Sequence, residues 1–292
     1  MQGSLEAAIL AVTGQDVQVV GAGRTDTGVH ATGQVAHFDI RWNDPAAVLL
    51  AALNATLDRD VAVTWIAPAP AGFHARYSAI GRAYRYTLWI GPVRSPLHRR
   101  TSLHVAKPLV VAWMADAAGR LEGEHDFGGF GRPMNAGGGT VRRMDRCQVR
   151  SEDHWIVFDL EANAFLRHQV RRTVGLLLDV GRGRLPPEAV ESVLARAPDA
   201  PVPRKVPAQG LCLVAVRYPP DDEIEALAAG HVAGGPGARI EDASLVDGRL
   251  VNEPLVDGPL VNALFVDEPS VDESFVESEL GVKGEDLYTE GN

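Results

Sequence analysis

Residues 21–30 read GAGRTDTGVH and follow the β-branched run VQVV at 17–20. A short strand that leads into a glycine-rich loop is typical of several nucleotide-binding loops. A dinucleotide-binding loop has glycines at its first, third and sixth positions. Gly21 and Gly23 fit that spacing, but Asp26 occupies the sixth position, and no Gly-Lys-Ser/Thr follows for a P-loop. The loop therefore needs a different interpretation.

The alternative interpretations of the loop depend on Asp26. An aspartate in a glycine-rich turn most often accepts hydrogen bonds from its own backbone. Here Arg24, Asp26 and His30 lie within seven residues and are interspersed with three glycines. That pattern favours a carboxylate held against a backbone that a ligand approaches closely. The sequence therefore predicts a functional role for Asp26.

The charge of the chain is unevenly distributed. The net charge of the 292 residues is −10, but residues 221–292 hold 18 acidic and three basic residues, which gives −15 there and +5 on residues 1–220. Arginine supplies 25 of the 28 basic residues, and its planar guanidinium suits phosphate groups. Residues 1–220 thus form a mildly basic body, and residues 221–292 an acidic tail. The chain has no signal peptide and no long apolar run, so it is predicted to be cytoplasmic, without membrane association.

Hydrophobic periodicity predicts alternating strands and helices, hence an α/β or α+β body with mixed sheets. Helices are expected after Asp44-Pro45, over 110–121, and over 162–183, where Arg167 and Arg171 would share one side. The segment 92–108 reads as a connection. Strands are expected at 17–23, 33–40, 61–67, 83–91 and 211–218, with a pair at 142–150 and 154–162 around a turn at 151–153.

Beyond residue 220 the pattern changes. From Ser244 to Ser278 a five-residue unit of the type SLVDG repeats, interrupted by proline and glycine. Its period matches neither a helix nor a strand, and the composition is acidic. Residues 221–292 are therefore predicted to be a disordered low-complexity tail, with transient β pairing as the alternative.

Four segments carry a resemblance to a known family. GRTDTGVHATGQVAHFD at 23–39 is similar to the active-site signature of the tRNA pseudouridine synthase A family. FHARYSAIGRAYRYTLW at 73–89, NAFLRHQVRRTVG at 163–175 and GLCLVAV at 210–216 resemble its later motifs, in the same order. The resemblance extends from Gln2 to about Pro219.

The resemblance implies an isomerase that converts uridine to pseudouridine at positions 38, 39 and 40 of the tRNA anticodon stem-loop. It implies a homodimer that needs neither a cofactor nor a metal. The implied fold is the pseudouridine synthase fold, with two related sheet-and-helix domains around a central cleft. These domains are expected at 1–97 and 98–220.

The resemblance also assigns the site. Asp26 is the implied catalytic residue, as a nucleophile at the sugar or as a base at C2′, and either role needs an ionised carboxylate. Arg171 is the expected partner, because a nearby guanidinium favours and orients that form; a solvated helix arginine is the alternative. Tyr84 would stack on the detached base, although Tyr86 shares its strand face and the two roles could be exchanged.

Further residues are expected to contact RNA, since the target uridine must be flipped out of its stack. Arg24 would fill the vacated space or hold a phosphate. His30 is expected to make a structural hydrogen bond within the loop, with proton transfer as the alternative. Arg76, with His74, would support the cleft or contact the RNA backbone. The expected phosphate-binding surface consists of Arg82, Arg85, Arg142, Arg143, Arg167 and Arg172.

The chain differs from the family at its start. Family members begin with a strand and a motif of the form YDGxxFxGWQ, whereas this sequence opens at Met1-Gln2-Gly3 within the following helix. The first strand is therefore expected to be missing. Two alternatives follow: a tRNA-binding protein with impaired catalysis, or a non-functional truncated product.

Overall fold

A computed structural model describes residues 1–135 and 137–231 of the chain. Within these ranges helices and strands alternate in a mixed α/β arrangement, which confirms the predicted fold class. The acidic repeat lies outside the described residues. The first part of the predicted tail is helical, because a helix spans Asp221–His231 and buries Ile224.

The helices are α1 Gln2–Thr13, α2 Ala46–Thr56, α3 Val111–Gly119, α4 Gln169–Gly181, α5 Ala189–Leu194 and α6 Asp221–His231. The strands are β1 Val20–Gly21, β2 His30–Ala31, β3 Ala36–His37, β4 Gly81–Ile90, β5 Leu103–Val105, β6 Gly123–Asp126, β7 Val141–Glu152, β8 Trp155–Ala162 and β9 Leu211–Arg217. None of the helices in the described part is long and apolar enough to cross a membrane.

A seven-stranded sheet forms the centre of the fold, in the order β2-β9-β4-β8-β7-β6, with β5 pairing alongside β4. Strand β4 is antiparallel to both β8 and β9, and β2 joins the edge parallel to β9. Apolar side chains of β4 and β8, including Tyr86, Leu88 and Phe158, pack with α3 and α4 in one core. The predicted domain boundary at 97/98 remains a prediction; β4 lies before it and pairs with strands after it.

Helix α4 is shorter and more deeply buried than its sequence suggested. It begins at Gln169 rather than 162, and eleven of its 13 residues are buried. His168 has a φ of 66°, which is incompatible with a continuing right-handed helix. Arg167 therefore precedes the helix and pairs with Arg132 through its backbone. The prediction that Arg167 and Arg171 share a helix side is wrong.

The N-terminal part has little regular sheet. β1 pairs with β3 over only two residue pairs. The strand predicted at 61–67 is absent, although Val61, Val63 and Ile66 are buried. The N–H and C=O groups of Val63 bond instead to the side-chain amide of Asn54, each at 2.7 Å. The apolar pattern thus predicted burial correctly, but the backbone of Val63 bonds to a helix side chain instead of to a neighbouring strand.

Two smaller predictions about connections need correction. The segment 92–108 contains β5, which pairs in parallel with β4. The turn between β7 and β8 lies at Asp153-His154 rather than at 151–153, because the strands stay paired as far as Glu152 and Trp155. Asp153 takes up a positive φ of 48° that such a tight turn requires.

Candidate active site

The loop that carries Asp26 connects the two sheets. It leaves β1 in the two-stranded sheet and ends at β2, whose His30 pairs with Cys212 of β9 in the large sheet. Both ends of the loop are therefore fixed, one in each sheet. Asp26 lies between them, where the two parts of the fold meet.

Local backbone geometry explains two glycines around this loop. The N–H of Val29 donates to the C=O of Asp26 at 3.0 Å, and Gly28 between them has a φ of 83°. This matches a type II turn, whose third residue needs a positive φ. A Cβ on Gly33 would lie 2.2 Å from the carbonyl oxygen of Val214, so close packing against β9 requires glycine there.

The Asp26 carboxylate contacts a buried arginine rather than its own turn. Arg171 Nη1 donates to Asp26 Oδ2 at 2.6 Å, and Arg171 Nε donates to the Val206 carbonyl at 2.8 Å. The Arg171 side chain is 11% exposed and that of Asp26 is 33% exposed. A guanidinium fixed on two sides thus orients a carboxylate that solvent still reaches, through a charge-assisted hydrogen bond. Arg171 is not a solvated helix residue.

A second side chain reaches the same oxygen. His168 Nε2 lies 3.3 Å from Asp26 Oδ2. Burial lowers the pKa of His168, against the opposing effect of the Asp26 charge, so the imidazole is neutral at pH 7. Both contacts fall on Oδ2, and Oδ1 has no polar contact within the described residues. Oδ1 is therefore the oxygen that this arrangement leaves available to a ligand.

His168 was missed by the sequence reasoning. It lies three residues before Arg171 in NAFLRHQVR. That spacing would bring the two side chains close on any helical turn, and this was the signal available. In the structure the His168 and Arg171 side chains meet at Asp26 in another way, because the backbone of His168 is left-handed just before α4. Strained backbone of this kind is concentrated at functional sites.

A cleft of about 780 Å³ runs along the loop from Gly21 to Thr25, next to Asp26. Its volume lies within the usual range for small-molecule pockets. The lining combines guanidinium groups with aromatic and apolar side chains. Its members include Arg24, Arg76, Tyr77, Arg82, Tyr84, Pro133, Met134, Arg142 and Phe165.

The two tyrosines of β4 have different environments. Tyr84 lines the cleft and packs edge-to-face on Phe165, with ring centroids 5.2 Å apart. Burial raises the pKa of Tyr84 to about 12, so its hydroxyl keeps its proton at neutral pH. Tyr86 is fully buried, and its hydroxyl donates to the Pro207 carbonyl at 2.8 Å. Of the two tyrosines, Tyr84 is the one in contact with the cleft.

Three of the predicted contact residues lie at the surface of the cleft or near it. Arg24 is exposed and Arg76 half-buried, and both line the cleft. Arg167 is exposed in the segment before α4. His30 Nε2 lies 2.6 Å from the Arg100 carbonyl oxygen, which belongs to a segment outside the loop.

Arg82 was expected to bind phosphate, but its guanidinium faces backbone carbonyls instead. The acceptors are Ala79 at 3.2 Å, Asn163 at 3.1 Å, Arg76 at 2.8 Å and Ala22 at 3.5 Å. These carbonyls belong to three separate segments around the cleft. Arg82 therefore ties the catalytic loop, the segment 73–80 and the segment before α4 together.

Three of the other expected phosphate-binding arginines are also partly engaged. Arg85 pairs with Asp159, and Arg143 with Asp145, each at 2.8 Å. Arg142 donates to the carbonyls of Gly139 and Val141. An arginine paired with a carboxylate offers less positive charge to a phosphate, so Arg85 and Arg143 contribute less than a count of arginines suggests.

Comparison with known proteins identifies the family. Residues 1–78 and 117–219 match a family described as tRNA pseudouridine synthase. The tRNA pseudouridine synthase A of Frankia casuarinae is 46% identical over 231 residues, which cover 78% of this chain and 84% of that protein. The chain belongs to the tRNA pseudouridine synthase A family. The predicted family and its fold are thereby confirmed.

Other members of the tRNA pseudouridine synthase A family match over a similar span. The protein of Syntrophotalea carbinolica is 42% identical over 225 residues, covering 77% of this chain and 89% of its own length. That of Bordetella petrii is 42% identical over 223 residues, covering 76% and 83%. The family match includes Asp26, His168 and Arg171, whereas Tyr84 lies in the interval 79–116 that it omits.

Proposed function

We propose that the chain is a tRNA pseudouridine synthase that isomerises uridine at positions 38, 39 and 40 of the anticodon stem-loop. Family membership and the names of the relatives support the tRNA substrate and the isomerase activity. The observation that carries the proposal is the Asp26 carboxylate, which Arg171 holds through Oδ2 at 2.6 Å and which directly follows Thr25 of the cleft lining in the chain.

The reaction explains the need for such a carboxylate. Pseudouridine forms when the bond from N1 to C1′ breaks and C5 of the same uracil bonds to C1′. The proton on C5 leaves and N1 gains one, so the product is an isomer and no electrons are exchanged. Asp26 Oδ1 either attacks C1′ or removes a proton from C2′, and each role uses the ionised carboxylate that Arg171 orients.

The cleft residues supply the other requirements. The detached uracil must rotate without diffusing away, and the Tyr84 ring beside Phe165 offers an aromatic surface for it. The protonated Tyr84 hydroxyl can hydrogen-bond the base and transfer a proton. Arg24 is exposed two residues before Asp26, where it fills the space left by the flipped nucleotide or binds its phosphate. Arg76 and Arg167 contact the RNA backbone.

The homodimer and the action without a cofactor are what the resemblance implies, and the cytoplasmic location follows from the sequence pattern; all three remain predictions. An isomerisation with no net redox change is chemically consistent with action without a cofactor.

Substrate mapping tests the proposed function. Unmodified tRNA transcripts with a single uridine at 38, 39 or 40 are incubated with the protein, and pseudouridine is mapped by carbodiimide modification and primer extension. We expect a signal at each position and none in a transcript with cytidine at all three. Pseudouridine only elsewhere would refute the position assignment. Binding without any pseudouridine would support the alternative of a tRNA-binding protein with impaired catalysis.

A further inference from the structure

Tyr77 is an aromatic side chain at the cleft to which neither the fold nor the proposed chemistry gives a role. Its side chain is 75% exposed, although it lines the cleft that also contains Tyr84 and Arg24. Single exposed apolar residues are common on protein surfaces and need no explanation. Tyr77 is distinguished from them by the way it is held.

The Tyr77 ring is fixed by its own turn. It packs on the His74 ring with centroids 4.3 Å apart and planes inclined by 31°. The backbone N–H groups of Arg76 and Tyr77 both lie 3.2 Å from His74 Nδ1, to which they donate. Burial lowers the pKa of His74, so the neutral imidazole is available as an acceptor. One face of the Tyr77 ring is therefore supported before any ligand arrives.

This turn is rigidly connected to the catalytic loop. Arg82 Nη2 donates to the Arg76 carbonyl at 2.8 Å and lies 3.5 Å from the carbonyl of Ala22, which precedes Asp26 by four residues. Arg82 also lies two residues before Tyr84 on β4. The spacing between Tyr77 and the candidate catalytic residues is thus set by the fold.

The charges near Tyr77 indicate what it binds. The Arg76 guanidinium carbon lies 5.7 Å from the centroid of the Tyr77 ring, within the range of a cation–π contact. Neither Arg76 nor Arg24 forms an ion pair within the part of the chain that the structure describes. An aromatic ring beside uncompensated guanidinium groups is the combination that binds unpaired nucleotides, through base stacking and phosphate contacts.

We propose that Tyr77 is a stacking platform for an unpaired base of the RNA next to the target uridine, with Arg76 binding the adjoining phosphate. The inference rests on the proposed function. When the target uridine leaves the stack, a neighbouring base loses its stacking partner, and the supported Tyr77 ring replaces it. A second copy of the chain is the competing occupant. RNA is favoured because a polyanion neutralises the two guanidinium groups in the same cleft.

Binding measurements on Tyr77 variants test this inference. The dissociation constant of an unmodified anticodon stem-loop is measured by fluorescence anisotropy at 0.15 M salt for Tyr77→Ala, Tyr77→Phe and Tyr77→Trp. We expect about tenfold weaker binding for Tyr77→Ala, which corresponds to about 1.4 kcal/mol and lies within the contribution of stacking on one base. Phe and Trp keep the ring and should bind like the wild type. Trp113→Ala, which removes a half-exposed aromatic from α3, is the matched control and should not change binding.

A second measurement separates stacking from other causes. 2-Aminopurine beside the target position should be quenched on binding to the wild type and to Tyr77→Phe, but not to Tyr77→Ala. Unchanged affinity in Tyr77→Ala, or equal losses in Tyr77→Ala and Tyr77→Phe, would overturn the inference. So would dissociation of a dimer by Tyr77→Ala in sedimentation. If the wild type makes pseudouridine while Tyr77→Ala binds normally, only this inference fails; if the wild type makes none on any transcript, the proposed function fails as well.

Discussion

The N-terminal and C-terminal parts of the molecule bury apolar side chains with very different amounts of sheet. In the large sheet, β4 and β8 stay paired from Arg82 to Trp89. In the N-terminal part, β1 and β3 share two residue pairs, and the core of Leu5, Ile9, Phe38, Leu49 and Leu53 comes largely from α1, α2 and irregular chain. The difference shows that alternating apolar residues predict burial, whereas a strand also needs a hydrogen-bonding neighbour.

The candidate site combines residues from both parts of the molecule. The N-terminal part supplies the Asp26 carboxylate on a loop with few backbone contacts of its own. The C-terminal part positions it through Arg171, through His168 and through the pairing of β2 with β9. The more regular region thus acts as the rigid frame for the less regular one, and variants on either side should have separable effects.

The largest expected effect among the frame residues follows loss of Arg171. Arg171→Met removes the group that links Asp26 Oδ2 to the Val206 carbonyl. We expect the pseudouridylation rate to fall at least about 100-fold, since a small displacement of a catalytic group costs that much. The free energy of unfolding should fall by about 2 kcal/mol, the scale of a hydrogen bond to a charged group. Single-turnover kinetics and urea unfolding measure the two effects.

Two further variants define what Arg171 contributes. Arg171→Lys keeps the charge but cannot hold Asp26 and Val206 at the same time. Its pseudouridylation rate and its free energy of unfolding should lie between those of the wild type and Arg171→Met. Arg184→Met removes an exposed arginine that pairs with Asp179 and should leave both quantities near those of the wild type. Wild-type turnover in Arg171→Met would show that the C-terminal frame does not position Asp26.

The next effect in size distinguishes the cleft from the core along β4. Tyr84→Phe keeps the aromatic surface but removes the hydroxyl, so we expect turnover to fall at least about tenfold with tRNA affinity retained. Tyr86→Phe removes a buried hydrogen bond to Pro207 and should cost about 1 kcal/mol of stability with little change in rate. Full activity in Tyr84→Phe together with inactivity in Tyr86→Phe would reverse the assignment of the two tyrosines.

The smallest effect is a pH dependence of stability in the N-terminal part. Burial lowers the pKa of His37 and of His74, and each accepts backbone N–H groups at Nδ1. Below about pH 6.5 the unfolded chain therefore binds more protons at these residues than the folded chain does, so the free energy of unfolding falls as the pH decreases. Above pH 6.5 both states are neutral there and the effect is absent.

Melting temperatures at pH 7.5 and pH 5.5 measure this dependence. The wild type should lose a few degrees at the lower pH, and His74→Gln should lose less, because glutamine does not titrate. His154→Gln replaces an exposed histidine and should leave the wild-type dependence unchanged. A melting temperature that rises on acidification would contradict the sign derived from burial.

The sequence predicted well the elements with strong local signals. The alternation in 83–91 and in 211–218 corresponds to β4 and β9, and the Asp44-Pro45 start leads into α2. The motif resemblance correctly indicated the family, and the structure brings Asp26 and Arg171, 145 residues apart in sequence, into contact. Long motifs in a fixed order carry information about tertiary structure that periodicity lacks.

The remaining features depend on tertiary contacts that local patterns do not encode. The left-handed backbone of His168 shortens α4 and separates Arg167 from Arg171. The role of Arg82 depends on carbonyls from three distant segments. The position of the Tyr77 ring depends on its contact with the His74 ring, which the sequence FHARYSA does not show.

The central claim is that Asp26, held by the C-terminal frame, performs the chemistry in the cleft. Single-turnover pseudouridylation by Asp26→Asn tests it most directly, because the substitution removes the charge and hardly changes the shape. We expect a rate below about 1% of the wild type, since nucleophilic and acid–base roles supply larger factors, with tRNA affinity within a few-fold of the wild type. Asp16→Asn, at an exposed aspartate between α1 and β1, should be fully active. A rate for Asp26→Asn above that limit, in a folded protein that binds tRNA normally, would contradict the account.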